Sequence, residues 1–295
     1  SSINGPNLYR KKSRIFPDGT YFINSKISKS RSLCIIKQKR NDGATLINGN
    51  KTLNAHQCFI IKFHKKIGFY TIMALHSHKY LGVNKNETNF CFSFICQYPL
   101  TDDYLLYWDI NLVNESFYTL ELVGTDLFLG YYPSLPALQL NQKSYEEHML
   151  FTIKTIPVVK NGFYQIYGKY DSKLGMIFPS KSTDSHAIAS HLMDEMNSTF
   201  YIYFDDHDGC YSLTTLQNLI LSARNDSDHF IYQIPFTNLD NQKFIISSFD
   251  IDRGDFFFEL KSNLLRLEIT DDNTQIKLCS YKPNFQGSKN QLFHI

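Results

Sequence analysis

The chain of 295 residues lacks an excess of charge of either sign. Its 30 Lys and Arg residues face 28 Asp and Glu residues, which leaves a formal net charge of +2. This balance provides no global attraction to nucleic acid or to an anionic membrane. Apolar runs as long as a membrane span are also missing from the sequence. We therefore predict a globular chain with no nucleic-acid partner and no membrane span.

Catalytic signatures are missing as well. The sequence contains no Gly-x-Ser-x-Gly, no phosphate-binding glycine loop and no His-Glu-x-x-His. Adjacent acids such as Asp102 and Asp103 fall in predicted turns, whereas a general acid and base act across a cleft. We expect a protein that is not an enzyme, with no catalytic residues and no cofactor.

Patterns for metals and disulfides are sparse. The six cysteines lie mostly in apolar stretches, which favours buried free thiols, with one or two bridges as the alternative. His76 and His78 share a predicted hairpin turn without further ligands nearby. The acidic stretch 205–209 is interpreted as a turn. We predict no metal site.

What the chain does contain is an internal repeat, present six times. Each repeat opens with a small residue followed two positions later by an aromatic, and the opening aromatics are 45 to 49 residues apart. Each repeat also closes with an aromatic. The opening aromatics are Tyr21, Tyr70, Tyr118, Tyr164, Tyr211 and Phe256, and the closing ones are Phe59, Trp108, Phe151, Phe200, Phe244 and Phe293. Six matches in register indicate a repeat architecture.

Between opener and closer, most repeats carry Leu-x-apolar, as in Leu33-Cys34-Ile35, and then another short apolar stretch. Each repeat therefore predicts four short strands, which cannot bury their apolar face alone. Gly-x-Tyr-x-Ile, Leu-x-Val and Gln-x-aromatic at these spacings resemble the β-trefoil, which joins three such units. The resemblance implies an all-β chain with two tandem β-trefoil domains, each made of three four-stranded repeats.

The predicted boundaries follow from the repeats. Residues 1–16 form a basic N-terminal tail, interpreted as solvated, residues 17–155 the first β-trefoil and residues 160–295 the second. The connector is short and apolar rather than rich in Gly and Ser, so we expect the two domains to be rigidly joined.

Gln-x-aromatic and the pair Gly43-Ala44 also resemble ricin B-type lectin modules. In that family an Asp in a Leu-Asp-Val word holds sugar hydroxyls, an aromatic stacks on the sugar, and Asn or Gln precedes the closing word. Here the Asp position is aligned with the residues Cys34, Gly82, Gly130, Gly175 and Arg266. Without a carboxylate the pocket loses its charge-assisted acceptor, which argues against galactose binding in the ricin manner. The repeated Leu-Gly is closer to fascin-like trefoils.

We predict a lectin-like protein that binds glycans or glycoproteins. The alternative is a protein-binding trefoil pair, acting on a filament as fascins do or on a receptor. The candidate ligand-binding residues are Tyr98, Tyr131, Tyr132, Asn241, Gln242, Tyr281, Asn290 and Gln291. Glycosylation sequons occur at Asn50, Asn86, Asn114, Asn197 and Asn225. They favour a secreted or extracellular location without deciding it.

Overall fold

The computed structural model describes residues 13–144, 146–171, 173–183, 185–191, 195–224, 229–250, 253–280 and 290–295. The chain divides into two compact units between Thr155 and Ile156. Within the described residues the regular structure is β apart from short 3-10 turns and one helix, α1 (Glu195–Ser198). No helix in these ranges is long and apolar enough to cross a membrane.

The first unit is a closed ring of six strands with three hairpins. Its strands are β1 (Gly19–Ser25), β2 (Arg31–Ile35), β3 (Ala44–Asn50), β4 (Phe59–His64), β5 (Phe69–Ala74), β6 (Lys79–Asn84), β7 (Cys96–Tyr98), β8 (Tyr104–Leu105), β9 (Tyr107–Asn114), β10 (Phe117–Leu122), β11 (Leu127–Gly130), β12 (Gln139–Asn141) and β13 (Phe151–Lys154). The ring runs β1-β4-β5-β9-β10-β13 and returns to β1, with every pair antiparallel. The hairpins are β2-β3, β6-β7 and β11-β12. This arrangement is a β-trefoil.

The second unit repeats this plan. Its strands are β14 (Gly162–Gln165), β15 (Tyr167–Gly168), β16 (Gly175–Ile177), β17 (Ile188–Ser190), β18 (Thr199–Asp205), β19 (Cys210–Thr215), β20 (Ile220–Ala223), β21 (Ile231–Ile234), β22 (Phe244–Asp250), β23 (Asp255–Leu260), β24 (Arg266–Ile269), β25 (Ile276–Cys279) and β26 (Phe293–His294). The ring is β14/β15-β18-β19-β22-β23-β26, and β26 closes it on β15. The hairpins are β16-β17, β20-β21 and β24-β25.

The prediction of two tandem β-trefoils is confirmed, with a small difference in the number of strands. Within the described residues each unit has thirteen strands instead of the expected twelve. In the first unit the extra strand is β8, which pairs with β6. In the second unit the first ring strand is interrupted at Ile166, so it appears as β14 and β15. Neither difference changes the fold.

The repeated aromatics have one structural role in all six repeats. The opening aromatic of each repeat is the register partner of the closing aromatic of the same repeat. These pairs are Tyr21 with Phe59, Tyr70 with Trp108, Tyr118 with Phe151, Tyr164 with Phe200, Tyr211 with Phe244, and Phe256 with Phe293. All six closing aromatics are buried. Each repeat thus joins its own first and last ring strands through a buried aromatic, where large rings contribute most to packing.

Glycine serves the turns between ring strands. Gly68, Gly209 and Gly254 precede three of the openers and have φ of 78°, 70° and 69°. A Cβ disfavours this left-handed conformation, so a small residue before the opening aromatic is a backbone requirement at these three turns. The repeated motif therefore marks a turn as well as a core position.

Candidate functional site

The glutamine of the closing word holds a loop of its own repeat. In the first repeat, the Oε1 atom of Gln57 accepts hydrogen bonds from the backbone N–H groups of Thr52 and Leu53, at 2.8 and 3.0 Å. Its Nε2 donates to the Asn50 carbonyl at 2.5 Å. Gln57 is fully buried. Its carboxamide thus provides hydrogen-bond partners for backbone groups that would otherwise lack them.

Gln242 makes the same three contacts in the fifth repeat, to groups five, four and seven residues earlier in the chain. The distances are 2.7 and 3.0 Å to its Oε1 and 2.8 Å from its Nε2 to the Pro235 carbonyl. Gln242 is buried, and so is Gln291 in the sixth repeat. The Gln242 carboxamide therefore binds its own loop rather than facing solvent.

The other predicted ligand residues lie at separate places in the two units. Tyr98 is half-buried and stacks on Tyr104, with ring centroids 4.1 Å apart. Tyr131 is buried in the first core, and Tyr132 stacks on His148 at 4.7 Å. Asn241 donates its Nδ2 to the Ala223 carbonyl at 2.7 Å. Tyr281 lies outside the described residues, and Asn290 belongs to the cluster described below.

Three of the five sequon asparagines, Asn50, Asn86 and Asn114, are exposed on the first unit. Asn197 is half-buried in α1, and its carbonyl accepts a hydrogen bond from the Phe178 N–H at 3.0 Å. Asn225 lies outside the described residues. Whether any sequon carries a glycan stays a prediction.

Strand register corrects the alignment of the sixth repeat by two residues. In β24-β25 the paired residues Leu267 with Leu278 and Ile269 with Ile276 are all buried in the second core. Leu265, by contrast, only packs against that core from its edge. The Leu-x-apolar word of this repeat is therefore Leu267-Glu268-Ile269, and the assignment of Arg266 to the acid position is wrong. The turn before β24 is longer than the alignment assumed.

Glu268 is thus a carboxylate at the position where the resemblance to ricin-type modules requires one. Read from the register and the sequence, this position holds Cys34, Gly82, Gly130, Gly175, Ser222 and Glu268 in the six repeats. Gly82 has a packing reason. A Cβ on Gly82 would lie 1.9 Å from the carbonyl oxygen of Leu105, which is backbone and cannot rotate away. The second repeat therefore has no room for an acid there.

Glu268 belongs to a chain of polar contacts that we call the sixth-repeat cluster: Glu268, Asp271, Asn290 and Gln291. The Nε2 of Gln291 donates to the Oε2 of Glu268 at 2.8 Å, and also to the Ser280 carbonyl at 3.1 Å. The Nδ2 of Asn290 donates to the Oδ1 of Asp271 at 3.0 Å. Both amides of the closing word are therefore oriented by carboxylates from β24 and the turn that follows it.

A cavity of about 240 Å³ opens in the second unit, and of the four cluster residues Asn290 is the one among its described lining residues, while Glu268 is buried in strand β24. Asn290 lines it, together with Tyr170, Asp171 and Lys169 from the beginning of the fourth repeat and the apolar Ile269. Tyr170 is 53% exposed. Lys169 is held in place by the buried Asp255, whose Oδ2 is 2.8 Å from the Lys169 Nζ. The cavity combines an aromatic ring, an amide and charged groups, the mixture typical of small-ligand sites.

The acidic turn at 205–209 forms ion pairs with lysines of the same unit. The Oδ2 of buried Asp208 lies 2.7 Å from Lys243 Nζ and 2.8 Å from Lys261 Nζ. Burial raises the pKa of Asp208, but hydrogen bonds and charge from the two lysines outweigh burial and leave that pKa lowered. Among the described residues no group of three or more His, Cys, Asp or Glu is placed to hold a metal ion.

The buried ring of His76, on the turn that it shares with His78, faces the ring of His56. The two ring centroids are 6.5 Å apart and the rings are nearly perpendicular. The Nε2 of buried His76 is 2.8 Å from the Lys39 carbonyl. Burial lowers the pKa of both imidazoles to about 4. Both rings are therefore neutral at physiological pH.

No family model matches the chain, and no curated protein matches it either. Solved structures do match. A mosquitocidal holotoxin aligns with 95% of this chain at 17% identity and a TM-score of 0.46, and the chain spans about a third, 34%, of that protein. The Rhizoctonia solani agglutinin covers 48% of this chain, with 98% of its own length aligned, at 14% identity and a TM-score of 0.41. The Macrolepiota procera ricin B-like lectin, solved with lactose, covers 48% of this chain and 98% of its own, at 19% identity and a TM-score of 0.39.

Proposed function

We propose that the protein is a lectin-like, non-enzymatic binding protein and that its saccharide site is the sixth-repeat cluster with the adjoining cavity. The observation that carries this proposal is the carboxylate of Glu268. It occupies the acid position in one repeat, where it is hydrogen bonded to the amide beside Asn290. Glycans or glycoproteins are the partners.

The chemistry of the cluster suits a sugar with neighbouring hydroxyls. A carboxylate accepts hydrogen bonds from hydroxyl groups, and such charge-assisted bonds are stronger than neutral ones. Asn290 offers an amide oxygen and amide hydrogens to the same ring. The exposed ring of Tyr170 provides a flat apolar face for the C–H side of a saccharide.

A glycan array tests this proposal. We expect the native protein to bind a restricted set of saccharides, and the variants Asn290→Ala and Tyr170→Ala to lose most of that signal. Glu115→Gln removes an exposed acid on a turn of the first unit and serves as the matched control, with binding unchanged. Folding of each variant is checked by thermal melting.

The same purified protein also tests the alternative, a protein-binding trefoil pair. If the protein binds no glycan on the array but co-sediments with actin filaments, filament binding replaces saccharide binding as the proposed function. If the protein neither binds a glycan on the array nor co-sediments with actin, a receptor is the partner to seek.

Secretion and glycosylation belong to the same proposal, because exposed sequons of the first unit are used only along the secretory route. A shift in mass after glycosidase treatment of the naturally produced protein would establish both.

A further inference from the structure

The second repeat closes differently from the first and the fifth. In those two repeats a buried glutamine, two residues before the closing aromatic, holds the preceding loop. In the second repeat this position is Leu106, whose side chain cannot form such hydrogen bonds. The preceding segment is held by backbone contacts instead, because β8 pairs with β6 and the Lys85 N–H donates to the Asp103 carbonyl at 3.0 Å. Backbone pairing, rather than a glutamine, therefore fixes the segment before Trp108.

This segment lines a cavity of about 240 Å³ in the first unit, which we call the β8 pocket. Tyr104 is half-buried and its orientation is fixed by the stacked ring of Tyr98, while Tyr107 is 37% exposed. Leu100 is 53% exposed and adds apolar surface. Among the described lining residues the remaining polar side chains are Lys85, Thr101 and Asp102. The β8 pocket therefore combines aromatic and apolar surface with one cation and one anion.

The two charged side chains of the pocket are available to a ligand. Within the part of the chain that the structure describes, neither Lys85 nor Asp102 forms an ion pair or a side-chain hydrogen bond, with each other or with another residue. The carboxylate of the adjacent Asp103, in contrast, accepts a hydrogen bond from the Thr101 hydroxyl at 3.4 Å. Lys85 and Asp102 are both exposed, so neither charge has to be taken from a protein partner.

This pair of charges selects for a ligand that carries both signs. A ligand with one charge is attracted by one of the two side chains and repelled by the other, whereas a zwitterion is attracted by both. The rings narrow the choice of cation, because aromatic faces attract ammonium groups and recognise methylated ones in particular. A methylated ammonium group also needs apolar surface, since it donates no hydrogen bond. For the anion, lysine is a common partner of phosphate.

We propose that the β8 pocket binds phosphocholine. The trimethylammonium group lies against the rings of Tyr104 and Tyr107, beside the Asp102 carboxylate, and Leu100 contacts its methyl groups. The phosphate is bound by the Lys85 ammonium group. Free phosphocholine and the headgroup of phosphatidylcholine present the same chemistry to these residues. The pocket lies in the first unit and its ligand is not a saccharide, so the proposal is independent of the sixth-repeat cluster and of the glycan array.

Calorimetric titration of the full-length protein with phosphocholine, and with choline as the match that lacks the phosphate, tests this proposal. We expect phosphocholine to bind in the millimolar range or more tightly, and at least about tenfold more tightly than choline, as one charge-assisted hydrogen bond allows. Phosphatidylcholine vesicles then distinguish the two sources. Co-sedimentation that free phosphocholine inhibits assigns the site to the lipid headgroup, and binding of phosphocholine without co-sedimentation assigns it to the free compound. Phosphatidylglycerol vesicles, which lack choline, should not sediment the protein.

Variants separate the two halves of the pocket. Lys85→Met should weaken phosphocholine binding at least about tenfold and leave choline binding unchanged, whereas Tyr107→Leu should weaken the binding of both ligands several-fold. Lys66→Met removes an exposed lysine from another turn of the first unit and is the matched control, with no effect. Loss of folding would weaken both ligands together, so it cannot produce the unequal effect expected of Lys85→Met.

Three results would overturn the proposal. The first is that phosphocholine does not bind in the millimolar range. The second is that choline binds as tightly as phosphocholine, because the phosphate then makes no contact with Lys85. The third is that the Lys85→Met protein, with an unchanged melting temperature, binds phosphocholine as the native protein does.

Discussion

The closing glutamines lend themselves to a quantitative prediction. Replacing Gln57 with Leu introduces an apolar side chain of similar size and removes three hydrogen bonds to backbone groups of the loop at 50–53. Each buried backbone group left without a partner costs about 1 to 3 kcal/mol. The loop is partly open to water, which can replace some of these bonds, so we expect a loss near the lower end, about 3 kcal/mol in total.

Urea denaturation of the native protein and the Gln57→Leu variant measures this loss. Gln242→Leu removes the equivalent contacts in the second unit and should lower the free energy of unfolding by a similar amount. Gln142→Leu is the matched control, since Gln142 is exposed, and its effect should stay within about 0.5 kcal/mol. If Gln57→Leu and Gln142→Leu have equal effects, the loop-holding role of the closing glutamine is refuted.

Three further predictions concern stability. Because burial lowers the folded-state pKa of His56 and His76 to about 4, against 6.5 when unfolded, their contribution to stability is complete above pH 6.5 and is lost as the pH falls to about 4. The loss is about 3 kcal/mol per imidazole, and urea titrations along this pH range should show a flatter profile for His76→Asn. Asp208→Asn leaves two lysines facing a neutral side chain, and we expect a loss of about 3 kcal/mol in chemical denaturation; a loss below about 1 kcal/mol would contradict a structural role for the network. Gly82→Ala brings a methyl group onto a backbone carbonyl and should cost about 3 kcal/mol, more than Gly130→Ala, whose nearest neighbour is a movable side-chain atom at 2.8 Å; equal losses in thermal melts would refute that packing argument.

The fold could be predicted because its repeated words mark positions with strict physical demands. A buried aromatic pair and a tight turn before it tolerate few residue types, so Tyr21 with Phe59 and Gly68 before Tyr70 remain readable in the sequence. Strand counts were less accurate, since an interruption such as that at Ile166 leaves no mark in the apolar pattern.

The candidate site was predicted only in part. Asn290 and Gln291 were recognised from the closing word, but Glu268 was missed, because turn length shifts an alignment while core burial does not. Gln242 was a candidate ligand residue because the resemblance to trefoil lectins places an Asn or Gln near the closing aromatic. Its carboxamide instead accepts hydrogen bonds from two backbone N–H groups. The sequence alone does not show that these groups need a side-chain partner.

The proposed saccharide site depends most directly on the carboxylate of Glu268, and one titration tests this dependence. The saccharide that binds most strongly on the array is titrated calorimetrically into the native protein, the Glu268→Gln variant and the Glu115→Gln control. We predict that Glu268→Gln weakens binding at least about tenfold while its melting temperature stays near that of the native protein and the control binds normally. Equal affinity of the native and Glu268→Gln proteins would contradict the assignment of the saccharide site to the sixth repeat.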